Sequence, residues 1–336
     1  MEIGERGVVP SRCIRPAAHR APPLYNAPTM GLMRSALLRA SKSQWLSQQV
    51  RSRRFVRRAV SRFMPGEDAE SALQAAQQFT EQHMPTVLTQ LGENVSDAGE
   101  ARAVTQHYAG VLDRIQALKL PAHISVKPTQ LGLDVSRDLC LEQLNALATH
   151  AARVGTFVSV DMEGSDYVDR TLDLYGKVRP AHPNVGLCLQ AYLYRTPDDL
   201  ASLLPLSPTI RLVKGAYNEP ATIAFPKKAD VDQRYFELAQ RLLAAPRPPQ
   251  VHGFGTHDAK LIDRICAHAR STGVPHTAFE LQMLYGIRAA DQSRLARSGY
   301  SMRVLISYGS YWFPWYMRRL AERPANVWFV VRSMFA

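Results

Sequence analysis

The sequence predicts an α/β fold, a (β/α)8 (TIM) barrel, on three observations. Short runs rich in Val, Ile, Leu or Phe alternate with longer segments of helical periodicity from residue 86 onward. The runs number eight, and the eight β-then-α units span about 240 residues, the size such a barrel needs. No Gly-x-Gly-x-x-Gly follows an early run, which weighs against a doubly wound sheet carrying a dinucleotide fingerprint. A chain of 336 residues, 46% hydrophobic, can bury a large core.

In order, the strands are expected at 86–91, 123–128, 156–162, 185–191, 210–215, 250–255, 278–283 and 303–307. Helical patterns fall between them at 97–118, 136–153, 166–179, 230–244, 257–271 and 286–298, and one more at 67–83 precedes the first strand. Capping chemistry supports the starts. Ser96 precedes a first turn containing Asp97, and Thr196-Pro197-Asp198-Asp199 reads as an N-cap, an N1 proline and two acids favoured by the helix dipole. The expected division is a disordered, basic lead over 1–42, a helical arm over 43–85 and the barrel over 86–336.

The formal net charge of +12 is not spread evenly: residues 6–66 hold basic side chains from Arg6 to Arg62 and no acid, and the remainder is near neutral. Such a block suits an anionic membrane surface, nucleic acid or a targeting peptide. Disorder over 1–28, with Met30 or Met33 as the true start, is a further reading, and 43–63 reads as an amphipathic basic helix. No nucleic-acid-reading motif accompanies the charge, so nucleic acid is not expected as a partner. No stretch approaches twenty uninterrupted apolar residues, so no membrane-spanning helix is expected. Cys13, Cys140, Cys188 and Cys266 are scattered without ligand spacing, which argues against a disulfide framework and a zinc site. The expected location is the cytoplasm, with peripheral contact at the inner face of the membrane through 43–63.

Chemistry concentrates at the C-terminal ends of the strands, where barrels place their sites. Those ends read Leu91-Gly-Glu93, Lys127, Asp161 with Glu163, Gln190, Arg211 to Tyr217, Thr256-His257, Glu280-Leu-Gln282 and Leu305 to Tyr308. A charge finishing an apolar strand is costly unless paired or used, so a ring of them marks a polar mouth. Of Asp161 and Glu163, Asp161 is taken as the group facing inward. Beyond the last strand, Arg318 and Arg319 stand behind aromatics, with Glu322 one turn on and able to brace either. Two guanidinium forks suit a small carboxylate. No Gly-x-Ser-x-Gly elbow, Cys/His couple or His-Glu-x-x-His offers a nucleophile or a metal site. The residues therefore describe a barrel enzyme acting on a small carboxylate with a bound cofactor. A reduced flavin suits the cations, and so does a phosphate-bearing substrate.

The motifs Ile124-Ser-Val-Lys127-Pro-Thr-Gln-Leu-Gly, Val160-Asp161-Met-Glu163, Leu189-Gln190-Ala-Tyr-Leu, Arg211-Leu-Val-Lys214-Gly-Ala-Tyr217, Thr256-His257-Asp258, Phe279-Glu280-Leu-Gln282-Met-Leu284-Tyr-Gly and Arg318-Arg319-Leu-Ala-Glu322-Arg-Pro-Ala-Asn326 occur in this order. The chain thereby resembles the proline dehydrogenase family, from about residue 45 to the end, in its short monofunctional bacterial form. The Arg211-to-Tyr217 and Arg318-to-Asn326 motifs are specific; Thr-His-Asp alone is weak. The resemblance implies a distorted barrel with the last helix over its mouth and non-covalent FAD. It implies hydride transfer from proline C5 to flavin N5, Δ1-pyrroline-5-carboxylate as product, a membrane quinone as acceptor and pyrroline-5-carboxylate dehydrogenase downstream. By position, Lys127, Arg318 and Arg319 would grip the carboxylate and Asp161 would sit by the amine, while Glu93 and Glu322 would orient the arginines. Gln190, Arg211, Lys214, Gly215, Ala216, Thr256, His257 and Gln282 would be flavin contacts, and Tyr217 and Leu284 would wall the pocket.

The sequence departs from the family pattern at two wall positions. Trp315 stands where the family has a tyrosine three residues before the arginine pair, and Tyr316 is about 100° out of phase on a helix. Leu305 stands where the family has a tyrosine near the end of the eighth strand, and Pro128 replaces the usual leucine after Lys127. The expected substrate is L-proline, with hydroxyproline or another substituted cyclic amino acid as the alternative. A flavin-binding barrel with little activity is the competing class. Against it stands the retained set Lys127, Asp161, Arg318 and Arg319, charges a binding module has little reason to bury. Plainer structural readings exist for some residues: Gln190 and Gln282 as satisfiers of strand-end backbone, His257 as a helix cap, and Trp312, Phe313 and Trp315 as core.

Overall fold

The computed structural model describes residues 60–246, 248 and 250–322, the side chains of 318–322 excepted. The sequence-predicted lead and most of the basic 43–63 helix lie outside the described residues. A helix, α1 (Ala69–Glu81), precedes the barrel. There follow β1 (Thr86–Gln90), α2 (Ala98–Ala117), β2 (Ala122–Val126), α3 (Arg137–Arg153), β3 (Val158–Val160) and α4 (Val168–Val178). Next come β4 (Val185–Gln190), α5 (Thr196–Leu203), β5 (Thr209–Val213), α6 (Lys228–Ala244), β6 (His252–Gly255) and α7 (Ala259–Ser271). The order ends with β7 (Phe279–Leu284), α8 (Ala289–Arg297), β8 (Ser301–Tyr308) and α9 (Trp312–Glu322). The eight strands pair in parallel and in chain order, and β8 closes on β1 through Thr86↔Val304 to Gln90↔Tyr308.

Strands buried on both faces read as unbroken apolar runs, which is why the eight were visible in the sequence. Their boundaries shift by a few residues. The 156–162 run keeps only Val158–Val160 as strand: at its start Thr156 N bonds back to Ala151 at the end of α3 (2.8 Å), and at its end Asp161 N makes the last bond to β2, at Val126 O (2.8 Å). The caps differ from expectation. Asp97 itself caps α2 by accepting from Glu100 N (3.0 Å), and Ser96 does not. Thr196 is the first residue of α5, where its hydroxyl donates to Gln190 O (2.5 Å) instead of capping.

The pleat sorts each strand into inward and outward residues with a period of two. Outward residues such as Leu88, Ile124 and Leu187 pack on the helices in one continuous core. Inward residues form layers. Near the strand starts, His123, Ser159, Thr209, Glu280 and Arg303 face a floor, where Arg303 forks onto Glu280 (2.6 and 2.7 Å). Two residues further along β3, and four further along the other strands, the same parity places Asp161, Lys127, Val213, Leu284 and Ser307 around the mouth. Glu280, expected at a strand's functional end, therefore belongs to the floor, neutralised by Arg303.

The mouth has a cover built from both ends of the described chain. Val60 and Met64 pack with Leu91, Trp312, Phe313, Trp315 and Tyr316 in a second apolar cluster. Trp312 Nε1 donates to Glu67 (2.9 Å), and Tyr316 stacks obliquely on Phe63. Gly286, in the loop after β7, adopts φ +72° and lies so close to the arm that an added Cβ would sit 1.5 Å from Arg62 O. Gly286→Ala is expected to destabilise by about 2–4 kcal/mol, from overpacking plus a left-handed backbone penalty. Gly155→Ala, with φ +73° but open space around it, should lose only about 1 kcal/mol. Calorimetric melting of both variants checks this, and equal shifts would contradict the close approach.

Candidate active site at the barrel mouth

One cavity of about 820 Å3 occupies the mouth, in the size range of cofactor and substrate sites. Lys127, Asp161, Glu93, Gln190, Arg211, Lys214, Gly215, Ala216, Tyr217, Thr256, His257, Gln282, Leu284, Leu305 and Trp315 all line it. Every sequence-expected site residue whose side chain is described thus reaches a single space. Arg318, Arg319 and Glu322 lie on α9, the arginines one turn beyond Trp315, and their side chains are outside the described residues. Trp315 faces the cavity while Tyr316, one residue later, is buried toward the arm, as their 100° separation requires. Trp312 and Phe313 are core.

Charge at the centre is arranged around Asp161. Its Oδ1 accepts from Ser125 Oγ (2.5 Å) and from the Arg211 guanidinium, and Lys127 Nζ lies 4.0 Å from Oδ2. All three partners follow from strand parity: Ser125 sits two residues before Lys127 on the inner face of β2, and Arg211 is inward on β5. The carboxylate is thereby held with its charge compensated, and Lys127 keeps Nζ directed at the cavity. Ser125 carried no sequence signal beyond that parity.

The opposite rim is cationic. Lys214 pairs with Asp258 (3.0 Å) and Asp232, and Lys228 pairs with Asp258 (2.8 Å) and Asp232. Burial works to raise Asp258, but Lys228 and Lys214 outweigh it and hold its carboxyl well below the usual range. Lys260 and Arg288 also line this side, and α7 opens onto it through Ala259 with no side-chain cap. A helix N-terminus among lysines is a place for phosphate oxygens. Gly215, at φ +120°, brings the backbone after β5 against Tyr192, where an added Cβ would lie 2.2 Å from the ring.

The buried polar atoms of the wall point the same way. Gln282 Oε1 and Arg211 Nε and Nη1 have no hydrogen-bond partner among the described residues. Buried polar groups are normally satisfied, so these suit a ligand with donors and acceptors on a ring edge. Gln190 does what the plain reading expected, donating to Glu163 O (2.8 Å), while also lining the cavity. His257 does not cap its own helix; its Nε2 accepts from Leu284 N (3.0 Å) and so fixes the end of β7. The donor set, the cationic rim and the volume fit a bound, phosphate-bearing, ring-containing cofactor beside a small anionic substrate.

Glu163 lies just behind this wall, 3% exposed, and accepts from Thr129 N (3.0 Å) and Thr129 Oγ1 (2.6 Å). Burial pushes its carboxyl up to about 7, against the opposing pull of Thr129 and Lys127.

These features define a (β/α)8-barrel enzyme with its site at the C-terminal mouth. Comparison with known proteins gives the family. The family model for proline dehydrogenase matches residues 72–332. Proline dehydrogenase 2 of Bacillus subtilis subsp. natto is 37% identical over 305 residues, covering 91% of this chain and 99% of that protein. Proline dehydrogenase of Deinococcus radiodurans is 37% identical over 310 residues, covering 90% and 98%. In fold, the chain matches proline utilization A of Bdellovibrio bacteriovorus inactivated by N-propargylglycine, with a TM-score of 0.75 at 22% identity over 88% of this chain and 37% of that one. The chain belongs to the proline dehydrogenase family of oxidoreductases. No helix of the described residues is long and apolar enough to cross a membrane.

The folded protein holds the Glu163 proton more tightly than the unfolded chain does. Between the ordinary value of 4.5 and about 7 it therefore binds more protons, and stability falls as pH rises through that window. The loss is on the order of a few kcal/mol. Glu163→Gln should remove this component, so its stability advantage over the unmodified protein should grow from pH 4.5 to 7 in denaturant titrations and then level off. Parallel pH profiles would contradict the assignment.

Proposed function

We propose that this chain oxidises L-proline to Δ1-pyrroline-5-carboxylate in proline catabolism, with FAD held non-covalently at the mouth. The observation that carries the reading is the convergence of Lys127, Asp161, Arg211, Gln282 and Trp315 on one cavity, in a chain of this family. FAD, when bound, supplies the acceptor for the hydride from the ring carbon next to nitrogen and passes the electrons on to a quinone. Gln190, Arg211, Lys214, Gly215, Ala216, Thr256, His257 and Gln282, which all line the cavity, are the residues assigned to hold it.

The chain's own part is binding and orientation. Lys127 offers Nζ to the substrate carboxylate, and Arg318 and Arg319 of α9 complete the grip, with Glu93 and Glu322 orienting them. Asp161, fixed by Ser125 and Arg211, stands beside the amine, which must lose a proton as the ring carbon loses hydride. Leu284, Leu305, Tyr217 and Trp315 close the apolar wall and exclude water. The imine product passes to pyrroline-5-carboxylate dehydrogenase. Contact with a membrane that carries the quinone is assigned to the basic 43–63 segment, which lies outside the described residues.

A second reading, oxidation of hydroxyproline or another substituted ring, is favoured by Leu305 and Trp315, which reshape the wall where the substrate ring would lie. Turnover with L-proline and trans-4-hydroxy-L-proline, followed by quinone reduction and imine trapping, separates the two. L-proline is expected to give the higher kcat/KM; reversal would install the second reading, and inactivity on every proline analogue would remove both. Lys127→Ala should lower kcat/KM by roughly 10- to 100-fold, the loss of one charge-assisted hydrogen bond, with flavin content unchanged.

A further inference from the structure

Three consecutive loops at the mouth and the end of β4 are laced by a line of hydrogen bonds. Asn94 N donates to Thr129 Oγ1 (3.0 Å), and Val95 N donates to Thr129 O (3.2 Å). Thr129 in turn donates through Oγ1 and N to the two oxygens of Glu163 (2.6 and 3.0 Å). Glu163 O receives Gln190 Nε2 (2.8 Å). Each link is a short step along the chain from a residue assigned to the site. Asn94 follows Glu93, Thr129 lies two beyond Lys127, Glu163 lies two beyond Asp161, and Gln190 is itself a wall residue. Thr129, Glu163 and Gln190 are all almost fully buried.

We infer that Thr129 and Glu163 are positioning residues that set the carboxylate-binding half of the mouth, holding Lys127 in register with Asp161 and Gln190 without touching substrate. The inference rests on the reading of this mouth as a proline site. Its physical basis is the geometry of Lys127. The lysine stands on the first turn after β2, where Gln130 N and Leu131 N return to its carbonyl (3.0 and 3.3 Å). The Thr129 clamp is what fixes that turn against the next loop. A carboxylate is the acceptor suited to the place, because it takes the Thr129 amide and hydroxyl together, one on each oxygen. Were the clamp released, Lys127 would keep its 4.0 Å relation to Asp161 only through long-range attraction, and the substrate carboxylate would meet a mobile cation.

The test compares Thr129→Val, which deletes the hydroxyl at constant shape, and Glu163→Ala with the conservative pair Thr129→Ser and Glu163→Gln. Each holoenzyme is assayed for kcat and KM with L-proline, affinity for the non-oxidisable ring carboxylate cyclopentanecarboxylate, flavin content and melting midpoint. Thr129→Val and Glu163→Ala are expected to raise KM and weaken the carboxylate by about tenfold or more, with kcat changed far less. Thr129→Ser should return both to within about twofold, since it restores both hydrogen bonds, whereas Glu163→Gln, whose single amide oxygen accepts only one of the two, should fall between Glu163→Ala and the unmodified enzyme. A lowered melting midpoint with unchanged KM in Thr129→Val would overturn the inference and leave a purely structural clamp. Absence of proline turnover and carboxylate binding in the unmodified enzyme would overturn the underlying reading, and this inference with it.

Discussion

Charge compensation at Asp161 is the interaction on which the mouth depends. A carboxylate inside a barrel is tolerable only if its charge is matched and its lone pairs are used. Ser125, Arg211 and Lys127 meet both needs from β2, β5 and the turn after β2. The result is a fixed anion that orients two cations, one toward the assigned substrate side and one toward the assigned cofactor side. Removing Asp161 would leave Arg211 buried beside a neutral wall, so the network is cooperative rather than a sum of pairs.

Closure of the barrel turns that local chemistry into a site. Parallel strands paired in chain order leave each inward residue one direction to point, and parity carries polar residues from floor to mouth in steps of two. Floor charge is settled internally by Arg303 and Glu280. Mouth charge is settled only in part, by Asp161 at one side and by Asp232 and Asp258 at the other, which leaves a cationic space. The cover over that space joins the two ends of the described chain. The segment Val60–Met64 and α9 bury each other's aromatic and apolar side chains, and the arm also rests on the Gly286 loop. Access to the mouth and packing of the arm are therefore coupled.

Much of this was legible in the sequence because the signals were local. Fully buried strands announce themselves as apolar runs, and a charge just after such a run marks the strand's functional end, as at Lys127 and Asp161. The same rule misplaced Glu280, since alternation along a strand cannot tell floor from mouth. Partnerships across the barrel were invisible. Thr129 and Glu163 are separated by 34 residues, and Lys214 and Asp258 by 44, so only the closed fold brings them together. Ser96 and Thr196 looked like caps by composition. The helices instead began one residue away, where Asp97 and the Gln190 carbonyl offered better bonds. The phase of Trp315 and Tyr316 was readable in advance because a helix turns each residue by a fixed angle.

The central claim is that this cationic mouth holds a flavin beside a cyclic amino acid. Its most direct test is the visible absorption spectrum of the purified protein, recorded anaerobically before and after addition of L-proline. Flavin bands that bleach on addition of proline are the expected result. A colourless protein that cannot be loaded with FAD would contradict the account at its root.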